Sequence, residues 1–125
     1  MNTLDNFFET STVQDLGSFL TQSKEELKTK IQSKIRQRRS QMLVHSYIYY
    51  VLDDNIVSDD DWQRWANELA QLQNDHPDCC NISFFDKDFK DWDGTTGYHL
   101  PLNNEWVKRK ARYLFDSWLK IDMGY

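Results

Sequence analysis

Cysteine, proline and glycine are all scarce in these 125 residues, at two, two and four copies. Cys79 and Cys80 are adjacent, a spacing that strains any disulfide between them and leaves no second pair for a framework or a zinc cage. They read as the reduced thiols of a cytosolic protein. So few Gly and Pro, with 39% hydrophobic and 28% charged residues, exclude the fibrous and disordered classes. No stretch approaches the ~18 apolar residues of a membrane span, and the N-terminal residues lack a basic segment followed by an apolar run. A cytoplasmic location, with no membrane partner, is the expectation. A positive surplus is missing too: the net charge of −5 argues against general nucleic-acid binding, which needs Lys and Arg to neutralise phosphates.

What is abundant is aromatic. Five Trp, six Tyr and seven Phe can bury a large apolar area per residue and are expected to dominate the core of a single domain spanning 1–125. Charge is unevenly placed. Lys24, Lys28, Lys30, Lys34, Arg36, Arg38 and Arg39 crowd one stretch, while Asp53, Asp54, Asp59, Asp60 and Asp61, and later Asp86, Asp88, Asp91 and Asp93, crowd two others. The molecule is expected to be bipolar, its basic stretch a solvated helix face.

Periodicity predicts a mainly α protein. Ser11 with Gln14 has the form of a capping box ahead of Val13, Leu16, Phe19 and Leu20, which predicts a short first helix weakened by Gly17. Ser23 with Glu26 gives a second box. Behind it Leu27, Ile31 and Ile35 step by four, and Met42, Leu43, Tyr47 and Tyr50 continue the stripe, which predicts one long helix over about 24–51. Asp53-Asp54-Asn55 breaks the pattern. Ser58 then stands as an N-cap before three aspartates, and Trp62, Trp65, Ala66, Leu69 and Leu72 mark a second helix to about Asn74, stopped by His76-Pro77. Residues 78–104 mix Phe84, Phe85, Phe89 and Trp92 with aspartates and turn-forming glycines. They predict an ordered aromatic-acidic loop with a short strand pair as an option. Asn103 or Asn104 caps a C-terminal helix packing through Trp106, Val107, Ala111, Leu114, Phe115, Trp118 and Leu119.

The run His45-Ser46-Tyr47-Ile48-Tyr49-Tyr50-Val51-Leu52-Asp53, then Val57-Ser58-Asp59 and Trp62, then Glu68-Leu69 and His76-Pro77, resembles the pattern H-x-Y-x-Y-Y-x-x-D, I-S-D-x-x-Y-D, E-L and H-P of the N-terminal module of NAD-dependent DNA ligases. The resemblance covers 36–78 and implies a helical hairpin that binds the nicotinamide mononucleotide half of NAD. Carried over position by position, it puts Tyr49, Tyr50, Asp59 and Trp62 on the ligand contacts, with Gln63 where the family has a second acid. A nicotinamide cation can stack on an aromatic face for ~0.5–2 kcal/mol, and a carboxylate can accept from ribose hydroxyls or a carboxamide. Gln63 can hydrogen-bond but cannot attract a cation, Trp62 lacks the phenol hydroxyl of the usual Tyr, and Asn55 replaces a connector proline. Where the ligase nucleophile would be a lysine in K-x-D-G, this chain reads Asp91-Trp92-Asp93-Gly94, and a carboxylate cannot form a lysine-AMP intermediate. The stretch from Asp91 to Pro101 resembles short ligase-related proteins of bacteriophages and prophages.

Each residue also has a plainer reading. Tyr47 and Tyr50 can pack the hairpin, Asp59 can serve the helix dipole, and Trp62 can join Trp65 and Leu69 in the core. Asp86, Asp88, Asp91 and Asp93 fail the calcium-loop pattern, since Lys90 takes the fifth place, and read as a solvated acidic loop. His45, His76 and His99 are too scattered for a metal triad. The expectation is a non-catalytic, phage-type protein that binds NAD or nicotinamide mononucleotide. The alternative is a phage-encoded interaction module or inhibitor of a host enzyme or defence complex that uses the hairpin as scaffold.

Overall fold

The computed structural model describes the backbone of residues 13–122 and the side chains of 21–121. Three α-helices account for most of it: α1 (Val13–Tyr50), α2 (Asp59–Asp75) and α3 (Glu105–Asp122), with a 3-10 turn at Pro77–Cys79. The protein is mainly helical, and no strand occurs among the described residues, so the loop option without a strand pair is the one adopted. The two helices expected before residue 51 are one. Residues 21–23, between the two expected helices, include no breaker, and helix once nucleated propagates through them. The Ser11 box and the side chains of Val13 to Leu20 lie outside the described residues.

Helix boundaries follow local chemistry. Ser58 caps α2 in extended conformation (φ −68°, ψ 155°), its Oγ accepting from the Asp61 N–H at 3.0 Å, and Asp59, Asp60 and Asp61 fill the first turn. Asn104 is the residue that caps α3, its Oδ1 accepting from the Trp106 and Val107 N–H groups at 2.9 and 3.3 Å. Pro77, without an N–H to offer, turns the chain out of α2. α1 packs against both other helices. The α1–α2 pair is the expected hairpin, joined by the acidic connector at 51–58.

The core differs from the aromatic one expected. Helices contribute mostly aliphatic side chains, among them Ile35, Met42, Leu43, Ile48, Leu69 and Val107, while Phe84, Phe89 and Trp92 enter from the 80–104 loop. The loop therefore supplies most of the aromatic part of the core. Trp92 is tied down by its indole N–H, which donates to the Ala66 carbonyl at 3.0 Å. Leu27 stays 58% exposed, so the buried stripe of α1 is fully formed only from Ile35, and Leu114 is also exposed on α3.

Two members of the basic stretch turn inward. Arg39 is only 1% exposed and donates to Gln73 Oε1 (2.9 Å), the Phe84 carbonyl (2.8 Å), Asp86 Oδ1 (2.7 Å) and the Cys80 carbonyl (2.9 Å). Arg38 pairs with Glu68 at 3.0 Å. The expected solvated basic face thus loses its two C-terminal cations, because Glu68 of α2 takes Arg38 while the 80–86 loop presents carbonyls and a carboxylate to Arg39. Asp86 is the loop's own hub. It accepts from the N–H groups of Ile82, Ser83 and Phe84 as well as from Arg39. Partial burial opposes its ionisation, and these bonds overcome that, holding the carboxyl below its ordinary value.

Candidate functional site

Four residues of α1 form one side of a cavity of about 250 Å³: His45 with Tyr49, and Ser46 with Tyr50, each pair four residues apart and so on one helix face. Asn55 and Val57 of the connector form its end. The first turn of α2 supplies Asp59, Trp62 and Gln63, again three and four apart, and Thr95 and Thr96 of the distal loop close the remaining side. The volume is near the lower end of the ~300–1,000 Å³ of small-molecule sites.

All five positions indicated by the resemblance line this one cavity. Tyr49 and Tyr50 are exposed, with ring centroids 4.9 Å apart at 88°, so each turns an edge or face toward the opening. Tyr50 leaves the packing role to Tyr47, which is buried. Its hydroxyl lies 3.2 Å from Thr96 Oγ1 and its ring meets Tyr98 edge-on at 5.4 Å. Asp59 sits exposed at the α2 N-terminus, where it serves the helix dipole and faces the cavity at once. Trp62 is half-buried, its ring 6.3 Å from Trp92, so one indole both packs on the core and lines the cavity. The two readings of Trp62 are compatible.

Two neighbours were left unassigned by sequence reasoning. His45 Nδ1 and Ser46 Oγ are buried and have no hydrogen-bond partner. An unmatched buried polar atom costs ~1–3 kcal/mol, and both of these belong to residues that line the cavity. Burial, beside the Trp65 ring at 5.6 Å, lowers the His45 imidazole to a pKa of about 4, so it is neutral at pH 7. A neutral ring in the cavity lining does not repel a cationic ligand. The signal for both residues was spacing: they precede Tyr49 and Tyr50 by one helical turn.

The distal loop is held against the hairpin by specific chemistry. Gly94 has φ +83°, and a Cβ there would lie 3.2 Å from the Ala66 carbonyl oxygen. At Gly97 a Cβ would overlap Ser46 Oγ. Asp93 Oδ1 accepts from both the N–H (3.0 Å) and the hydroxyl (2.7 Å) of Thr95, bonds that hold its carboxyl below the ordinary value. The Asp91-Trp92-Asp93-Gly94 string is thus engaged in building a cavity wall.

A larger hollow of about 510 Å³ lies near Arg39, Cys80, Asp86 and Trp92. Its principal polar groups are matched to one another, and burial pushes the neighbouring Cys79 and Cys80 thiols up, away from thiolate chemistry. The smaller cavity carries the unmatched groups.

The architecture at that cavity is a helical hairpin whose first turn of α2 faces a tyrosine-rich turn of α1. Residues 28–83 match the family model described as the DNA ligase-like, N-terminal NAD+-binding domain, a wider span than the 36–78 read from motifs. A DNA ligase of Flavobacterium johnsoniae is 41% identical over 58 residues, which are 46% of this chain and 8% of that ligase. A DNA ligase of Stutzerimonas stutzeri is 42% identical over 45 residues, 36% of this chain and 6% of that protein. One of Syntrophomonas wolfei is 36% identical over 47 residues, 38% and 7%. The segment is therefore similar to the N-terminal NAD+-binding domain of DNA ligases. The match spans 8% or less of the length of these curated relatives. No solved structure matches the chain.

Proposed function

We propose that the cavity binds the nicotinamide mononucleotide portion of NAD, or nicotinamide mononucleotide itself, and that this chain binds it without catalysing its transfer. The observation that carries the reading is convergence: Tyr49, Tyr50, Asp59, Trp62 and Gln63 surround one cavity together with the unmatched His45 Nδ1 and Ser46 Oγ. Aromatic faces of Tyr49 and Trp62 suit a pyridinium ring, and the Asp59 carboxylate suits its charge or the ribose hydroxyls. The similarity of residues 28–83 to an NAD+-binding domain supports the same ligand class.

Titration calorimetry with nicotinamide mononucleotide, NAD and AMP tests the proposal. Saturable heat is expected with the first two and none with AMP, and the signal should weaken in Tyr49→Ala and Asp59→Ala. No heat from nicotinamide mononucleotide or NAD at millimolar concentration rejects it.

The docking alternative, in which the acidic connector and basic helix engage a host protein, draws less support. Arg38 and Arg39 are committed to Glu68 and to the 80–86 loop, which thins the basic face it would use. A tie to short phage and prophage ligase-related proteins rests on the stretch from Asp91 to Pro101, outside the matched residues 28–83.

A further inference from the structure

We propose that Gln63 is a positioning residue that latches the 93–98 segment across the mouth of the hairpin, making Thr95 and Thr96 a polar wall of the binding site that the ligase-like segment does not itself supply. The inference rests on the nicotinamide-mononucleotide reading of the cavity. It departs from position-by-position transfer of the family's contacts, which would make residue 63 a ligand contact.

The argument begins with donors. The Gln63 amide nitrogen has two protons, and both are used: Nε2 lies 2.8 Å from the Gly94 carbonyl oxygen and 2.9 Å from Asn67 Oδ1. A carbonyl oxygen can only accept, so the Gly94 bond fixes which end of the amide faces the loop. No proton is left for a ligand, and the free end of the side chain is its oxygen.

A carboxylate at this position would turn an acceptor toward the Gly94 oxygen. The amide is thus the group that lets the loop close here. Around it the fit is tight: the backbone at Gly94 lies against Ala66 of α2, and Gly97 lies against Ser46 of α1, so the segment bridges both arms of the hairpin. Tyr50 and Thr96 then meet across the top at 3.2 Å. Thr95 has its hydroxyl proton committed to Asp93, which leaves its oxygen as an acceptor beside the cavity. Residues 93–98 lie outside residues 28–83, the segment matched to the ligase family.

The latch and a simple contact predict opposite signs for one substitution. In Gln63→Glu, a direct contact gains charge attraction for the pyridinium and tightens nicotinamide mononucleotide. A latch loses the Gly94 bond and loosens the wall. Gln63→Met removes the bond without adding charge and separates the two causes. We expect both variants to bind nicotinamide mononucleotide several-fold more weakly by calorimetry. In the ligand-free protein, amide hydrogen exchange at residues 95–98 should be about tenfold faster, the scale of one hydrogen bond of ~1.4 kcal/mol. Tighter binding by Gln63→Glu, or unchanged exchange in both variants, overturns the latch. If the parent chain gives no binding heat at all, the cavity reading falls and the ligand-facing wall falls with it, while exchange still reports whether Gln63 holds the loop.

Discussion

Arg39 Nη1 lies 2.7 Å from Asp86 Oδ1, and this ion pair joins the middle of the longest helix to a loop 47 residues further on. The same guanidinium also satisfies two loop carbonyls, so it organises backbone that has no strand or helix to organise it. Removing it leaves the Phe84 and Cys80 carbonyls unmatched and a void among core side chains. Arg39→Ala should cost about 3–5 kcal/mol, measured by urea denaturation, as expected when one partner of a buried pair is deleted. Asp86→Asn, at a half-buried carboxylate, should cost less. A loss below about 1 kcal/mol for Arg39→Ala would contradict this role.

That contact also shows what was legible in the sequence. The hairpin with its Ser58 cap and its stop at Pro77, and the Asn104 cap of α3, follow from short-range chemistry and were readable, as was the similarity of the hairpin to the ligase N-terminal domain. Arg39 was not, because it sits in a run of basic residues that looks solvated. Yet it falls four after Ile35 and three before Met42, on the buried stripe, and that spacing was the available clue. The distal loop was opaque for a different reason. Its aromatic side chains enter the core without periodicity, held by side-chain bonds to backbone that no local pattern announces.

His45 gives stability a pH dependence. Its folded pKa is depressed to about 4 from the ordinary 6.5, so as pH falls below 6.5 the unfolded chain takes up a proton that the folded chain refuses. The contribution is therefore fully present above pH 6.5 and is lost between 6.5 and 4, by about 1.4 kcal/mol per pH unit at most. His45→Gln should flatten that part of the stability curve, and NMR titration of the His45 ring should show no midpoint near 6.5. Asp86 and Asp93, also depressed, act in the same direction but lower, their contributions being lost as pH falls below the ordinary carboxylate value.

Asp59 is exposed, so its attraction for a cationic ligand is that of a charge near water. Asp59→Asn should weaken nicotinamide mononucleotide three- to tenfold, or about 1 kcal/mol, at low salt, and the gap between parent and variant should shrink as ionic strength rises. Calorimetry at two salt concentrations checks this. A salt-independent gap would mean that Asp59 works through a direct hydrogen bond to the ligand instead of through charge at a distance.

Asp53 adopts φ +53° just past the end of α1, a conformation that costs an L-residue roughly 1 kcal/mol or more and glycine almost nothing. The side chain is exposed. Asp53→Gly should raise stability by up to about 1 kcal/mol, after allowing for the greater freedom of glycine in the unfolded chain. Ser83, at φ +55° and also exposed, should respond similarly, whereas Phe85 at φ +54° should not, because its ring packs on Phe84 and Trp106. Urea midpoints for the three glycine variants make the comparison.

Gly97 and Ser46 make the sharpest test of how the wall is seated. The backbone at Gly97 is not left-handed, so alanine is conformationally allowed there, and the penalty is steric: a Cβ would overlap Ser46 Oγ. Gly97→Ala should cost about 1–3 kcal/mol, the range for overpacking a tight site. Ser46→Ala removes a buried hydroxyl that has no partner, and should be neutral or mildly stabilising in the absence of ligand. In the double variant the new methyl meets the Cβ of residue 46 at 3.0 Å and Leu100 Cδ1 at 3.4 Å, contacts that a small shift of the loop relieves. Its loss should therefore be clearly less than that of Gly97→Ala alone, with a coupling of about 1 kcal/mol. Additive effects would place the loop away from α1.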